Sequence, residues 1–281
     1  MGILGQRRYA NKPPTAVGWQ KSHSIALGFL ALFPFTEGGG APLYLPSQQP
    51  GILSGSTLPS WVTGYGGPAL NFNGSGALNN CYLSFGTDPY LKDLVIDGNQ
   101  VSFFWRFQMT SSGGLACRSD GATTGWNIGI GAGGGWTLSF PRSAGNFRAS
   151  GSTGIIGIGN TWWNLIVTYD GNNSTTSCTG YVNGAVDLGV TSSAGGGVTS
   201  TDAASNFELG QVQLGSGESN FGMIGSISMM AIWNRILSPA EGVELTFDEN
   251  LLFEPLAATR LAMLGTVPPP TGNQPYNWIL S

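Results

Sequence analysis

Nucleophilic catalysis by serine or cysteine needs a histidine base, and this chain holds a single one, His23. No Gly-x-Ser-x-Gly elbow accompanies it, so that chemistry is disfavoured. Glycoside hydrolysis needs two carboxylates roughly 5–10 Å apart. On a strand, two acids on one face stand an even number of positions apart, and no run such as Glu-x-Asp-x-Glu occurs. The densest acids, Glu241, Glu244, Asp248 and Glu249, fall on a predicted helix and read as its solvated face. No catalytic residue is therefore assigned, and the chain is expected not to be an enzyme.

Metal and anion sites fare no better. Asp97-Gly98-Asn99 and Asp170-Gly171-Asn172-Asn173 offer oxygens, but both are ordinary turn sequences, and a calcium loop usually gathers several carboxylates. Calcium is kept only as a minor alternative and no cofactor is expected. Cys81, Cys117 and Cys178 lack the close spacing of a zinc site. They fit either one disulfide and a free thiol or three buried thiols. Tryptophans could stack on sugar rings. Trp105 and Trp163 share strand faces with apolar residues and read as core; Trp61, Trp126, Trp136 and Trp162 stay open, core being the more frequent role.

The elements carrying these residues are mostly strands. Val101, Phe103, Trp105, Phe107 and Met109 alternate with Ser102, Phe104, Arg106 and Gln108, which predicts a strand with one face in a core. Trp163, Leu165, Val167 and Tyr169 alternate likewise. Ile25 to Phe35 reads as a first strand, too short to span a membrane. Residues 126–130 and 136–140 flank a glycine-rich loop and predict a hairpin. One helix is expected from Pro239 to about Asp248, capped by Ser238 with Glu241 completing the box.

Charged residues make up 9% of the chain, against about 25% in an ordinary soluble domain. So uncharged a sheet protein has few guards against association, which suggests an assembly. The net charge of −4 disfavours nucleic acid as the main partner. Three segments are predicted: a basic arm over 1–24, a sandwich over 25–253, and a proline-rich arm over 254–281. The first arm carries Arg7, Arg8 and Lys12 with no acid before Glu37. The second ends in Tyr276, Trp278, Ile279 and Leu280, apolar groups that should be docked rather than solvated. These seven residues are the expected subunit contacts.

Taken together, Trp162-Trp163 through Tyr169-Asp170-Gly171, Gly180-Tyr181-Val182-Asn183-Gly184, Gly67-Pro68-Ala69-Leu70-Asn71-Phe72-Asn73-Gly74 and Asn234-Arg235-Ile236-Leu237-Ser238 with Glu241 resemble the laminin-G-like, concanavalin A-like jelly roll. The resemblance implies an all-β sandwich with one short C-terminal helix. The flanks, His23 to Gly28 and Glu244 to Pro255, are similar to small virion proteins of tailed bacteriophages built on this domain. That similarity implies a virion structural protein decorating the capsid or a tail component, bound to a major capsid or tail protein and to copies of itself. The alternative is a carbohydrate-binding module for adsorption to a host-surface glycan.

Overall fold

The computed structural model describes residues 24–45, 49–73, 81–120, 123–212, 221–248 and 252. Two large antiparallel sheets pack face to face. In the first, the strands run in the order Ala185–Val186, Cys178–Val182, Gly159–Tyr169, Val101–Met109, Ile224–Trp233, Gly67–Asn73 and Ser60–Gly64. Phe29–Phe33 also joins this sheet. It pairs with Met230–Trp233, while Gly67–Asn73 pairs with Ile224–Ile227. One edge of the long strand is thus shared end to end by two others.

The second sheet runs Thr191–Ser193, Gly145–Ser150, Trp136–Arg142, Gly125–Ile130, Gly113–Ser119, Phe207–Leu209, Tyr82–Ser84 and Ile52–Ser54. Its hairpin of Gly125–Ile130 and Trp136–Arg142 closes through the expected glycine loop, with Ile130 opposite Trp136. Asn183 and Gly184 both have positive φ, 50° and 81°, as a two-residue hairpin turn of this twist requires.

Between the sheets lie Phe103, Trp105, Trp126, Trp136, Leu165 and Val167, all fully buried. Phe103 and Trp126 meet at 4.7 Å across the sandwich. Trp136 sits where Gly151 and Gly180 leave room: a Cβ at Gly180 would come within 2.5 Å of the indole. Its Nε1 donates to Asp187 Oδ2 at 3.1 Å. Trp126 and Trp136 are therefore core, the more frequent of the two roles weighed for them.

The alternation at Val101–Met109 predicts one buried face, but both are covered. Phe104 and Ile166, on the opposite face, join a second core with Ile25, Trp233, Leu245 and Leu252. The helix Pro239–Phe247 lies over that part of the sheet. Ser238 caps it and Glu241 returns the bond to the Ser238 amide. Glu241 is not on a solvated face: it is buried and paired with Arg235 at 2.7 Å. That pair and the bonds to Ser238 hold its carboxyl down at about 2. Glu244 is exposed, as a solvated face requires, and Asp248 half-buried; among the described acids of the helix Glu241 alone leaves that face, because the helix docks through this turn.

The first apolar run is also shorter as a strand than expected. Ser24–Ala26 is a 3-10 turn and the strand begins at Phe29. Gly28, at φ 68°, makes the join, and a Cβ there would stand 2.5 Å from Asn234 Oδ1. Trp233 Nε1 donates to Ile25 O, Asn234 N to Gly28 O, and Arg235 to Leu27 O and Ser24 O. This clasp ties the start of the domain to the strand's end.

Candidate binding surface

The acids have structural work. Asp97 accepts two bonds from Arg142, at 2.5 and 3.0 Å, which hold its carboxyl below the usual range. Asp170 Oδ1 accepts from Asn172 N at 2.8 Å, an Asx turn. These two positions do not fit a calcium loop, and no group of three metal-binding side chains occurs among the described residues. Asp187 holds Trp136 and Ser152. Asp88 caps the short turn Pro89–Leu91 and accepts from the Tyr44 hydroxyl. Cys81, Cys117 and Cys178 are all free and buried, and burial pushes the Cys81 and Cys178 thiols up.

Three carboxylates do gather, around the fully buried Arg118. Its Nε lies 3.1 Å from Asp202 Oδ1, and Nη1 donates to Asp88 O at 2.7 Å. Asp93 N donates to Asp202 Oδ1 at 2.7 Å, while Asp202 N returns a bond to Asp93 Oδ1 at 3.1 Å. Burial outweighs the attraction here. It pushes Asp202 up to about 6 and lowers Arg118, against the pull of their pairing. The guanidinium adds its own ties between two loops that the Asp93–Asp202 bonds already join.

A different arrangement occupies the uncovered part of the first sheet's outer face. The register aligns Ser60, Asn71, Ser226, Gln108 and Trp162 across five strands. At the usual strand spacing this row is about 19 Å long. Asn71 Nδ2 donates to Ser226 Oγ at 2.9 Å, which orients both groups. One position along, Arg106 lies flat, 2% exposed, with Nε donating to Asn164 Oδ1 at 2.7 Å and Nη2 to Thr246 O at 3.0 Å. Tyr65, at the tip of the hairpin formed by Ser60–Gly64 and Gly67–Asn73, covers Arg106 at 4.4 Å. Its ring meets that of Trp162 at 6.4 Å and a 59° tilt. Tyr65 is 49% exposed and Trp162 half-buried. The result is a shallow polar row bounded by two rings whose positions are fixed from below.

Of the tryptophans left open by the sequence, Trp162 is the one on this surface. Trp61 sits half-buried against Phe35, its Nε1 donating to Gly40 O at 3.0 Å. Trp163 packs against the main core from a half-buried position. Tyr65 and Arg106 carried no sequence signal beyond a turn residue and the polar alternate of a strand. The expected subunit contacts Arg7, Arg8, Lys12, Tyr276, Trp278, Ile279 and Leu280 lie outside the described residues, as do His23, Glu249, all of the predicted basic arm but Ser24, and the proline-rich arm.

A family model described as the concanavalin A-like lectin/glucanases superfamily matches residues 86–241, more than half of the chain. Among solved structures, the Trypanosoma rangeli sialidase in complex with sialic acid aligns with a TM-score of 0.54 and 11% identity, over 82% of this chain and 34% of that one. The botulinum neurotoxin serotype G binding domain aligns at 0.49 and 13%, over 78% and 50%. The CBM40 of the Ruminococcus gnavus IT-sialidase aligns at 0.41 and 15%, over 53% and 84%. At 11% identity the likeness to the Trypanosoma rangeli sialidase is one of fold alone. The chain spans about a quarter to a half of the first structures it matches. No curated protein matches the sequence significantly.

Proposed function

The chain belongs to the concanavalin A-like lectin/glucanases superfamily, and from that premise we propose that it is a non-catalytic module that binds carbohydrate on the outer face of its first sheet. The fold leaves the choice of function to its side chains. The observation that carries the reading is the row of Ser60, Asn71, Gln108 and Trp162 flanked by Tyr65, with the buried Ser226 orienting the Asn71 amide. Sugar rings present hydroxyls at their edges and C–H faces above and below. Amides and hydroxyls serve the first and indoles and phenols the second. Arg106, pinned by Asn164 and Thr246, sets the height and tilt of Tyr65 without entering the surface itself. The non-catalytic reading is supported by the structural work of several acids: Asp202 pairs with Arg118, Asp97 with Arg142 and Glu241 with Arg235, while Asp170 closes a turn.

An array of host-surface polysaccharides tests this reading. Wild-type protein should retain at least one of them, and Trp162→Ala and Tyr65→Ala should each weaken that binding by about tenfold or more. Absence of binding to any polysaccharide, or turnover of one, would overturn it.

A second reading is favoured by one observation. Ile25 and Leu252 are buried in the same small core, so both flanking segments join the domain at one place. With the phage-like flanks, this supports a bacteriophage virion protein whose two arms grip neighbouring subunits while the sandwich faces outward. Deleting residues 261–281 should then abolish incorporation into particles; unchanged incorporation would sink the idea. The two readings are compatible in one protein.

A further inference from the structure

The opposite end of the strand Val101–Met109 opens into a pocket of about 470 Å³, within the range of small-molecule sites. Tyr90, Lys92, Asp93, Asn99, Gln100 and Asn234 line it, with Leu30 and Gly98. Several of its walls are fixed from behind. Asp88 caps the turn carrying Tyr90 by accepting from its amide at 2.7 Å, and Arg118 holds the Asp88 carbonyl. Asn99 Nδ2 donates to Asp93 O at 2.7 Å. Gly98 N donates to Gly171 O, and Asn234 N to Gly28 O.

Asp93 is the most constrained member. Its φ is 57°, and besides the bond from Asn99 three more hold it there: its own amide to Asp202, and its Oδ1 accepting from Asp202 N and from Thr201 Oγ1 at 2.7 Å. Aspartate tolerates this region. A residue so heavily constrained beside a cavity is the kind of strain that functional sites keep. Among the described residues, Oδ2 accepts no hydrogen bond.

We infer that this pocket is a second saccharide subsite, taking a single neutral sugar at a chain terminus. The inference rests on the reading of the domain as carbohydrate-binding, but not on the Tyr65–Trp162 surface. The chemistry fits a polyol better than an ion. Lys92 and Asp93 cancel in charge, three amides supply donors and acceptors, and the 71% exposed Tyr90 ring offers a face at the rim. The long open row suits the interior of a polysaccharide, and an end pocket bounded on several sides suits its last residue. At about 3.3 Å per residue, the eight steps from Gln100 to Gln108 separate the two by roughly 26 Å, so they do not share a sugar.

Saturation-transfer NMR on the full chain with glucose, galactose, mannose and N-acetylglucosamine tests the inference. At least one should receive transfer, and Tyr90→Ala should weaken its affinity by about tenfold. Asp93→Asn, which keeps the Oδ1 acceptor and tolerates the backbone, should do the same by replacing Oδ2 with a donor. The pocket variants are compared in the Trp162→Ala background, so that transfer arising at the Tyr65–Trp162 row is not counted as the pocket's. No transfer to any sugar, or transfer undiminished in both pocket variants, overturns the subsite. In that event retained polysaccharide binding that still falls with Trp162→Ala leaves the proposed function standing; loss of both signals removes the two together.

Discussion

The two ends of the strand Val101–Met109 are finished in different materials. At its start the loops are tied by charge, through Arg118, Asp202, Asp93 and Asp88. Near its finish they are tied by rings, with Tyr65 laid over Arg106 and against Trp162. Charge inside a sandwich is costly to remove on one side only, because the partner remains buried. Rings at a surface are cheap to remove and are replaced by water. The first end should therefore govern stability and acid response, and the second should govern binding without governing the fold.

The sharpest way to break this contrast is Arg118→Ala. It leaves Asp202 buried without its cation and should cost about 3–5 kcal/mol in denaturant unfolding. A loss below 1 kcal/mol would mean that the loops hold without their guanidinium. Next comes Glu241→Gln, which removes one side of the ion pair to Arg235 and weakens the capping box. A loss of about 1–3 kcal/mol is expected, read from the same unfolding curves.

The acid response sharpens the comparison further. Asp202 has its folded pKa raised from 3.8 to about 6, so between those values the native state holds the extra proton. Its contribution to stability accordingly rises as pH falls from about 6 towards 3.8, opposite to an ordinary ion-paired acid. Glu241 behaves in the ordinary way: lowered from 4.5 to about 2, it contributes stability above 4.5 and loses it as pH falls through that interval. Melting temperature against pH should lose its first slope in Asp202→Asn and its second in Glu241→Gln. An unchanged profile in Asp202→Asn would contradict a raised value. The smallest effect is expected at the ring end. Tyr65→Ala and Trp162→Ala should unfold within about 2 kcal/mol of wild type while losing polysaccharide, because both rings are already partly in water.

How much of this was legible depends on sequence distance. The Val182-Asn183-Gly184 turn, the Asp170 turn and the Ser238–Glu241 cap are local devices, and they fixed the architecture correctly. The alternation at Val101–Met109 also gave the strand. It misjudged the outer face, because the cover comes from Leu245 and Ile25, which belong to elements far away in the chain. The row beside Tyr65 and Trp162 was hidden for the same reason. Tyr65 meets Arg106 and Trp162 only after its hairpin and the strands Ile224–Trp233, Val101–Met109 and Gly159–Tyr169 are in register. Asp93 meets Asp202 across 109 positions. A charged residue in an alternating strand reads as solvent-facing unless the tip of a distant hairpin is known to fold over it.

The clasp at Gly28 and Asn234 has a mechanical consequence. Phe29–Phe33 and Met230–Trp233 are antiparallel, and the chain enters and leaves at the same end of that pair. Tension applied through both flanking segments would open the ladder bond by bond from this point, as a zipper does, instead of shearing it all at once. Once the helix and Leu252 have given way, the bonds of Arg235, Trp233 and Asn234 to residues 24–28 stand next in the line of force. They act as a fuse: while they hold, the load bypasses the sandwich, and the outer face stays undistorted under a pull that would strain a domain anchored at opposite poles.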